Sequence, residues 1–207
     1  MADLRHVYWI GGAPGAGKST IARRLAARYG WHHYATDDTM RAHTARTTPA
    51  SAPMLHAFRS MDMDERWVRR SPNVMLETFH WFRGEGFELI AEDLLDLPSD
   101  PPVVADGFRL LPHLVEPLLK AVDQAVWLLP TPEFRHAAIE GRSTPGEGFA
   151  WRTSDPARAA RNLAERDRMF TNRLREQTSR LGLRAIEVDS ATSEEDLLRQ
   201  VTTAFHL

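Results

Sequence analysis

The chain has 207 residues and a mass of 23.5 kDa, and its 43% of apolar side chains suffice for one globular unit with a substantial core. Lys and Arg number 26 against 28 Asp and Glu, a formal charge of −2, so nothing attracts the chain in bulk to nucleic acid or to an anionic membrane, and any basic site has to be local. Cysteine is absent, which removes disulfides, thiolate catalysis and thiolate metal sites together and fits a reducing, cytoplasmic setting. No run approaches the ~18 apolar residues of a membrane span, and the apolar start of the chain is too short for a signal-peptide core.

The first predicted element is a strand, Val7–Ile10, which runs directly into "GGAPGAGKST". Gly12-Ala13-Pro14-Gly15-Ala16-Gly17-Lys18-Ser19 satisfies G-x-x-x-x-G-K-[ST] at every defined position. Ile21, Leu25 and Tyr29 then recur every four residues, the spacing of a helix with one buried face. A glycine-rich turn with a chance lysine would lack this strand before and helix after. Glycines let the backbone wrap a polyphosphate with its N–H groups inward, at the positive end of a helix. Lys18 supplies a mobile charge for the β- and γ-phosphates, Ser19 a hydroxyl for Mg²⁺, and Thr20 a contact for the α-phosphate.

A second strand, His32–Ala35, leads into "TDDTM". In open α/β sheets ligands bind outside the carboxyl ends of the strands, which places Asp37 and Asp38 beside the phosphate loop. A carboxylate there can take the proton of an acceptor hydroxyl or hold a water on Mg²⁺; an aspartate before a helix can equally be an N-cap. About 67 residues separate this strand from the next, far more than a crossover needs, and they read as an inserted flap at about 40–100. Pro49 and Pro53 mark a turn region, and Ser71-Pro72 open a helical run carrying Met75, Phe79 and Phe82 that Gly84 and Gly86 kink or split. Polar and aromatic candidates for holding an acceptor are Arg41, His43, Arg46, Arg59, Trp67, Arg69, His80, Trp81 and Arg83, with the tryptophans favoured as core.

The third strand, Val103–Ala105, ends at Asp106-Gly107, which puts a Walker-B-type acid at the same sheet edge, with Arg109 just past it as a substrate candidate. After Pro112, Leu114, Leu118 and Val122 predict a helix; Ala125–Leu129 predicts the fourth strand. Residues 140–156, "EGRSTPGEGFAWRTSDP", read as a loop, followed by a long charged helix with Leu163, Phe170, Leu174 and Leu181 on one face. The fifth strand, Arg184–Val188, is followed by Ser193 as N-cap of a last helix burying Leu197, Leu198, Val201 and Phe205. The nine histidines show no metal-ligand spacing, and His32 and His33 are read as structural. Strands alternating with helices predict an α/β fold, a five-stranded parallel sheet covered on both faces.

In the order of these parts the chain resembles the small P-loop kinases of the nucleoside/nucleotide-kinase superfamily, in the branch of the shikimate, gluconate and chloramphenicol kinases. The resemblance rests on "GGAPGAGKST", the aspartate after strand two, the acid-Gly after strand three, an arginine-bearing loop and "IEVDSA" after the last strand. It implies a single domain that binds ATP and Mg²⁺ and passes the γ-phosphoryl group to a hydroxyl of a small metabolite or antibiotic. It implies Asp37 as general base or substrate anchor and Asp106 and Ser19 at the metal. It also implies lid arginines over the transferred phosphate, for which Arg135 and Arg142 have the right seven-residue spacing, and a loop at Asp189 lining the adenine. Two rivals stand beside this reading: a nucleotide or polynucleotide-end kinase, and a nucleotide-dependent regulatory ATPase or switch.

Overall fold

The computed structural model describes residues 3–135 and 150–207. Five strands form one sheet in the order β2-β3-β1-β4-β5, and every neighbouring pair is parallel. The strands are β1 (Val7–Gly12), β2 (His32–Ala35), β3 (Val103–Asp106), β4 (Ala125–Pro130) and β5 (Arg184–Val188). Each falls on a predicted run, extended by one or two residues at its carboxyl end in three cases.

Successive side chains of a strand point to opposite faces, and here both faces are apolar. Val7 and Trp9 of β1, Val103 and Ala105 of β3, and Ala125, Trp127 and Leu129 of β4 face one core, while Ile10, Val104, Val126 and Leu128 face the other. The second face is covered by α1 (Lys18–Tyr29), through Ile21 and Leu25, and by the C-terminal α9 (Glu194–Ala204), whose N-cap Ser193 accepts a hydrogen bond from the Asp196 amide. The first is covered by α6 (Phe87–Asp96), by α7 (Pro112–Val115) and by the 25-residue α8 (Pro156–Arg180), through Ile90, Leu94, Val115, Phe170 and Leu174.

The helix expected to carry Leu114, Leu118 and Val122 is not continuous. It is one turn of α-helix followed by a 3-10 turn at Glu116–Leu118, and Val122 is exposed. Pro117 is the cause, since it has no amide hydrogen to continue the ladder. The run after Ser71 splits as expected at Gly84 and Gly86, and also at Phe79, whose extended backbone separates α4 (Pro72–Thr78) from α5 (His80–Arg83).

The long segment between β2 and β3 also holds α2 (Thr36–Arg46) and α3 (Pro53–Ser60). Two small apolar clusters fix it: Trp67, Val68 and Met75 pack on Ala159 of α8, and Ala52, Leu55 and Trp81 pack against Met40 and Phe108. Glu85 holds the start of α3, accepting from the Met54 and Leu55 amides at 2.9 and 2.8 Å.

Candidate functional site

The strand order reverses at β1, which runs between β3 on one side and β4 on the other, so the crevice at the carboxyl ends of β1 and β3 is the switch point at which α/β sheets bind ligands. Both halves of the site start there. The phosphate loop leaves β1 at Gly12, whose φ of +132° and whose closeness to β4 exclude any side chain: a Cβ would lie 2.2 Å from the Leu128 carbonyl oxygen. The Ala13 amide donates to that same oxygen at 3.2 Å, which ties the loop to the sheet. The loop closes at Gly17, the N-cap of α1, so the first amides of α1, at Lys18, Ser19 and Thr20, lie in the helical turn whose N–H groups have no intrahelical partner. Lys18 is buried against the loop and its Nζ donates to the Ala13 carbonyl at 2.8 Å.

Asp106 ends β3 in register with Ile10 and Ala35, and it is 2% exposed. Ser19 Oγ donates to its Oδ2 at 2.6 Å, and His33 Nε2 donates to its Oδ1 at 2.7 Å. Sequence reasoning took His33 for a structural residue. The signal available was alternation along β2: His33 shares the α1 side of the sheet with Val104 and Asp106, whereas Tyr34 faces the opposite core. A serine hydroxyl beside a buried carboxylate is a hard-oxygen pair of the kind Mg²⁺ selects, so the residues present fit that ion. Among the described residues no cluster of three or more His, Cys, Asp or Glu could hold a metal by itself.

Asp37 and Asp38 lie in the first turn of α2, and both are exposed. Neither is the N-cap, which is Ala35 and uses no side chain. Asp37 is open to solvent yet recessed among protein atoms. That desolvation raises its pKa above the ordinary carboxylate value, and the charge of Asp106 adds to the rise while Lys18 opposes it.

Arg109 does not present a free guanidinium to an acceptor; it is 2% exposed and spent on the protein. Nη1 donates to the Thr36 carbonyl at 3.3 Å, and Nη2 to the Gly86 carbonyl and to His43 Nδ1, both at 3.1 Å. The guanidinium carbon stands 4.2 Å from the centre of the Trp81 ring, and burial lowers the pKa to about 10. His43 in turn donates from Nε2 to Asp93 Oδ2 at 2.7 Å, which Tyr34 also reaches at 2.7 Å. Burial lowers the His43 pKa and keeps the ring neutral, with the proton on Nε2, because Nδ1 accepts from Arg109. Arg109 is therefore a brace that clamps the start of α2 to α6, a role no local pattern announces.

Arg135 lies at the phosphate loop, where a Cβ on Gly15 would meet its Cγ at 3.5 Å. It is buried in an ion pair with Asp167 of α8, and Asp167 also accepts from Arg166 Nε at 2.7 Å. The Arg166 guanidinium lies within 5.0 Å of both the Phe79 and Phe82 ring centres. Arg166 and Asp167 were not foreseen, because a charged pair within a charged helix reads as surface. Arg142 and most of the 140–156 loop lie outside the described residues. The Asp189 side chain is used by its own turn, accepting from the Ala191 and Thr192 amides at 3.0 and 2.9 Å. Arg41 and Arg59 line a cavity beside α2, whereas Arg46, Arg69 and Arg83 pair with Glu92, Asp62 and Glu77. Trp67 and Trp81 are buried, as expected of core residues.

A family model described as an AAA domain matches residues 11–74, from the phosphate loop to the start of α4. No curated protein matches the sequence. Among solved structures, the chain is similar to deoxyadenosine kinase from M. mycoides with bound dATP, at 11% identity and a TM-score of 0.51, over 97% of this chain and 100% of that one. The architecture is thus the α/β fold of the P-loop kinases. Family match and fold together support a small P-loop kinase of the nucleotide-kinase superfamily, and with it phosphotransfer. No helix among the described residues is long and apolar enough to cross a membrane.

Proposed function

We propose that this protein transfers the γ-phosphoryl group of ATP to a hydroxyl of a small molecule. The observation that carries the reading is the position of Asp37. It stands at the start of α2, open to solvent, in the electrostatic field of Lys18 and Asp106, and it is the one carboxylate of this group whose pKa is raised. A base of raised pKa is better matched to taking a hydroxyl proton than an ordinary aspartate.

The acceptor oxygen attacks the γ-phosphorus, the bond to the β–γ bridging oxygen breaks, and ADP leaves with that electron pair while the acceptor's proton passes to Asp37. The loop amides and Lys18 hold the phosphates in line and neutralise their charge. Ser19 and Asp106 would hold Mg²⁺, which supplies Lewis-acid charge neutralisation when bound. His33 fixes the Asp106 carboxylate through its second oxygen. Arg135, at the loop, adds positive charge on the phosphate side, and Arg142 of the arginine-rich segment is the candidate to cover the transferred group.

The test is ADP release screened against hydroxylated metabolites, nucleosides, nucleotides and antibiotics. One acceptor is expected to raise ADP release at least about a hundredfold over hydrolysis. Lys18→Ala should weaken ATP binding, and Asp37→Ala should remove transfer while sparing it. Transfer at the parental rate by the Asp37 variant takes that residue out of the chemistry. Slow ATP hydrolysis that no acceptor stimulates favours the regulatory ATPase. The likeness to a deoxyadenosine kinase makes nucleosides and nucleotides the first compounds to assay.

A further inference from the structure

A cavity of about 470 Å³ opens beside α2, within the size range of pockets that enclose small organic ligands. Arg41 and Thr44 of α2 line one side, and Leu55 and Phe58 of α3 another, with His80 and Trp81 of α5 completing the wall. Arg41 follows Asp37 by one helical turn on the same face of α2, about 6 Å along the axis. The cavity is therefore the space next to the proposed base on the side away from the phosphate loop.

Its chemistry has two parts. The wall is mainly apolar and aromatic, and within it sits His80, 2% exposed, whose Nδ1 has no hydrogen-bond partner among the described residues. The ring packs 5.1 Å from Phe58 and 4.4 Å from Trp81, centre to centre, and burial lowers its pKa to about 3, so it is a neutral imidazole with one donor and one acceptor to offer. A buried polar atom left without a partner costs about 1–3 kcal/mol, which a ligand can recover.

The rim carries charge of one sign. Arg41, Arg59 and Arg66 all border the cavity, and none of the described residues lining it is acidic. Arg66 spends donors on the Phe58 and Arg59 carbonyls, at 3.0 and 2.8 Å, without losing its charge. Arg41 and Arg59 make no ion pair among the described residues, in contrast to Arg46, Arg69 and Arg83 nearby. Arginines without counter-ions around a low-dielectric wall concentrate positive potential there.

We propose that the cavity takes the phosphoryl acceptor and that the acceptor is an anion built on a flat apolar body. Its ring lies against Phe58, Leu55 and Trp81, a polar ring atom meets His80, and its carboxylate or phosphate is held at Arg41 and Arg59. Its hydroxyl points back along α2 to Asp37. Cationic acceptors such as amino sugars, and polyols without an apolar face, are disfavoured. The inference rests on the phosphotransfer reading for the word acceptor, while the ligand chemistry of the cavity can be measured without turnover.

The experiment compares two fluorescent probes that differ in charge, 8-anilinonaphthalene-1-sulfonate and its neutral counterpart N-phenyl-1-naphthylamine. The anion is expected to bind about tenfold tighter. Arg41→Gln with Arg59→Gln should abolish that preference, each single change giving about a threefold loss. Ala45→Trp, a change at an exposed position that fills the cavity, should release both probes; circular dichroism and the thermal midpoint check the fold. Equal affinity for the two probes, a preference that survives the double variant, or binding that survives Ala45→Trp each overturns the proposal. If the probes behave as expected and no anionic ring compound both displaces them and releases ADP, the phosphotransfer reading fails and the cavity's preference stands. If a cationic or polyol acceptor is phosphorylated, the reading stands and the inference fails.

Discussion

Gly107→Ala is the sharpest perturbation of the link between the sheet and the proposed base. Gly107 follows Asp106 with φ +154°, and α2 starts directly on top of it. A Cβ there would lie 1.7 Å from Thr36 Oγ1, 2.9 Å from Thr36 Cβ and 3.2 Å from its Cγ2. Normal contact is about 3.4 Å or more, so the hydroxyl has to retreat by about 1.7 Å, and no rotamer helps because rotation only exchanges one crowded substituent for another. Thr36 is fully buried, so the helix start moves with it. Overpacking and the unfavourable φ together should cost about 2–4 kcal/mol in urea unfolding. Thr36→Ala removes the two outer atoms of the clash. On its own it should be close to neutral, since Oγ1 has no hydrogen-bond partner and its loss offsets that of a buried methyl. The double variant should recover about half of the cost, a coupling of about 1–2 kcal/mol. A loss below about 0.5 kcal/mol for Gly107→Ala, or strict additivity of the two changes, refutes the argument. Where the single variant stays folded, a shift of about 1 Å at Asp37 should lower transfer about a hundredfold.

Three other outcomes are expected. His80 has its pKa lowered to about 3 from an ordinary 6.5, so the unfolded chain binds its proton first. The stability it confers is whole above pH 6.5 and is lost as pH falls toward 3, on the order of 4 kcal/mol, and unfolding of His80→Phe should lack most of that acid dependence. Asp167→Asn leaves two buried arginines without their carboxylate and should cost about 3–5 kcal/mol in urea unfolding. The raised pKa of Asp37 means that its charge is a burden to the folded state, so Asp37→Asn should raise the thermal midpoint at neutral pH, with the gain vanishing below pH 3.8.

The parts of the site that follow one another along the chain were readable from it. The strands announced themselves as unbroken apolar runs because both sheet faces are covered, and the phosphate loop because its chemistry is contained in eight consecutive residues. Asp106 was found by its place at a strand end. The parts built across the chain were not readable. His33 meets Asp106 over 73 positions, Arg109 meets His43 over 66 and Arg135 meets Asp167 over 32. Nothing in the immediate neighbourhood of any of these residues distinguishes a buried partner from a solvated one. Pro117 could have been read, since a proline in the second turn of a proposed helix argues against its continuation.

The way α3 is held bears on how the acceptor preference of such a protein can change. Its first turn hangs from Glu85 by backbone amides, which every residue but proline possesses, so the identities of Leu55, Phe58 and Arg59 are irrelevant to the anchorage. The base, by contrast, sits on α2, whose start is pinned through Arg109 to the opposite wall. Selection or a designer can therefore rewrite one side of the cavity residue by residue while the catalytic carboxylate keeps its place. Substrate range and chemical competence are separately inheritable here.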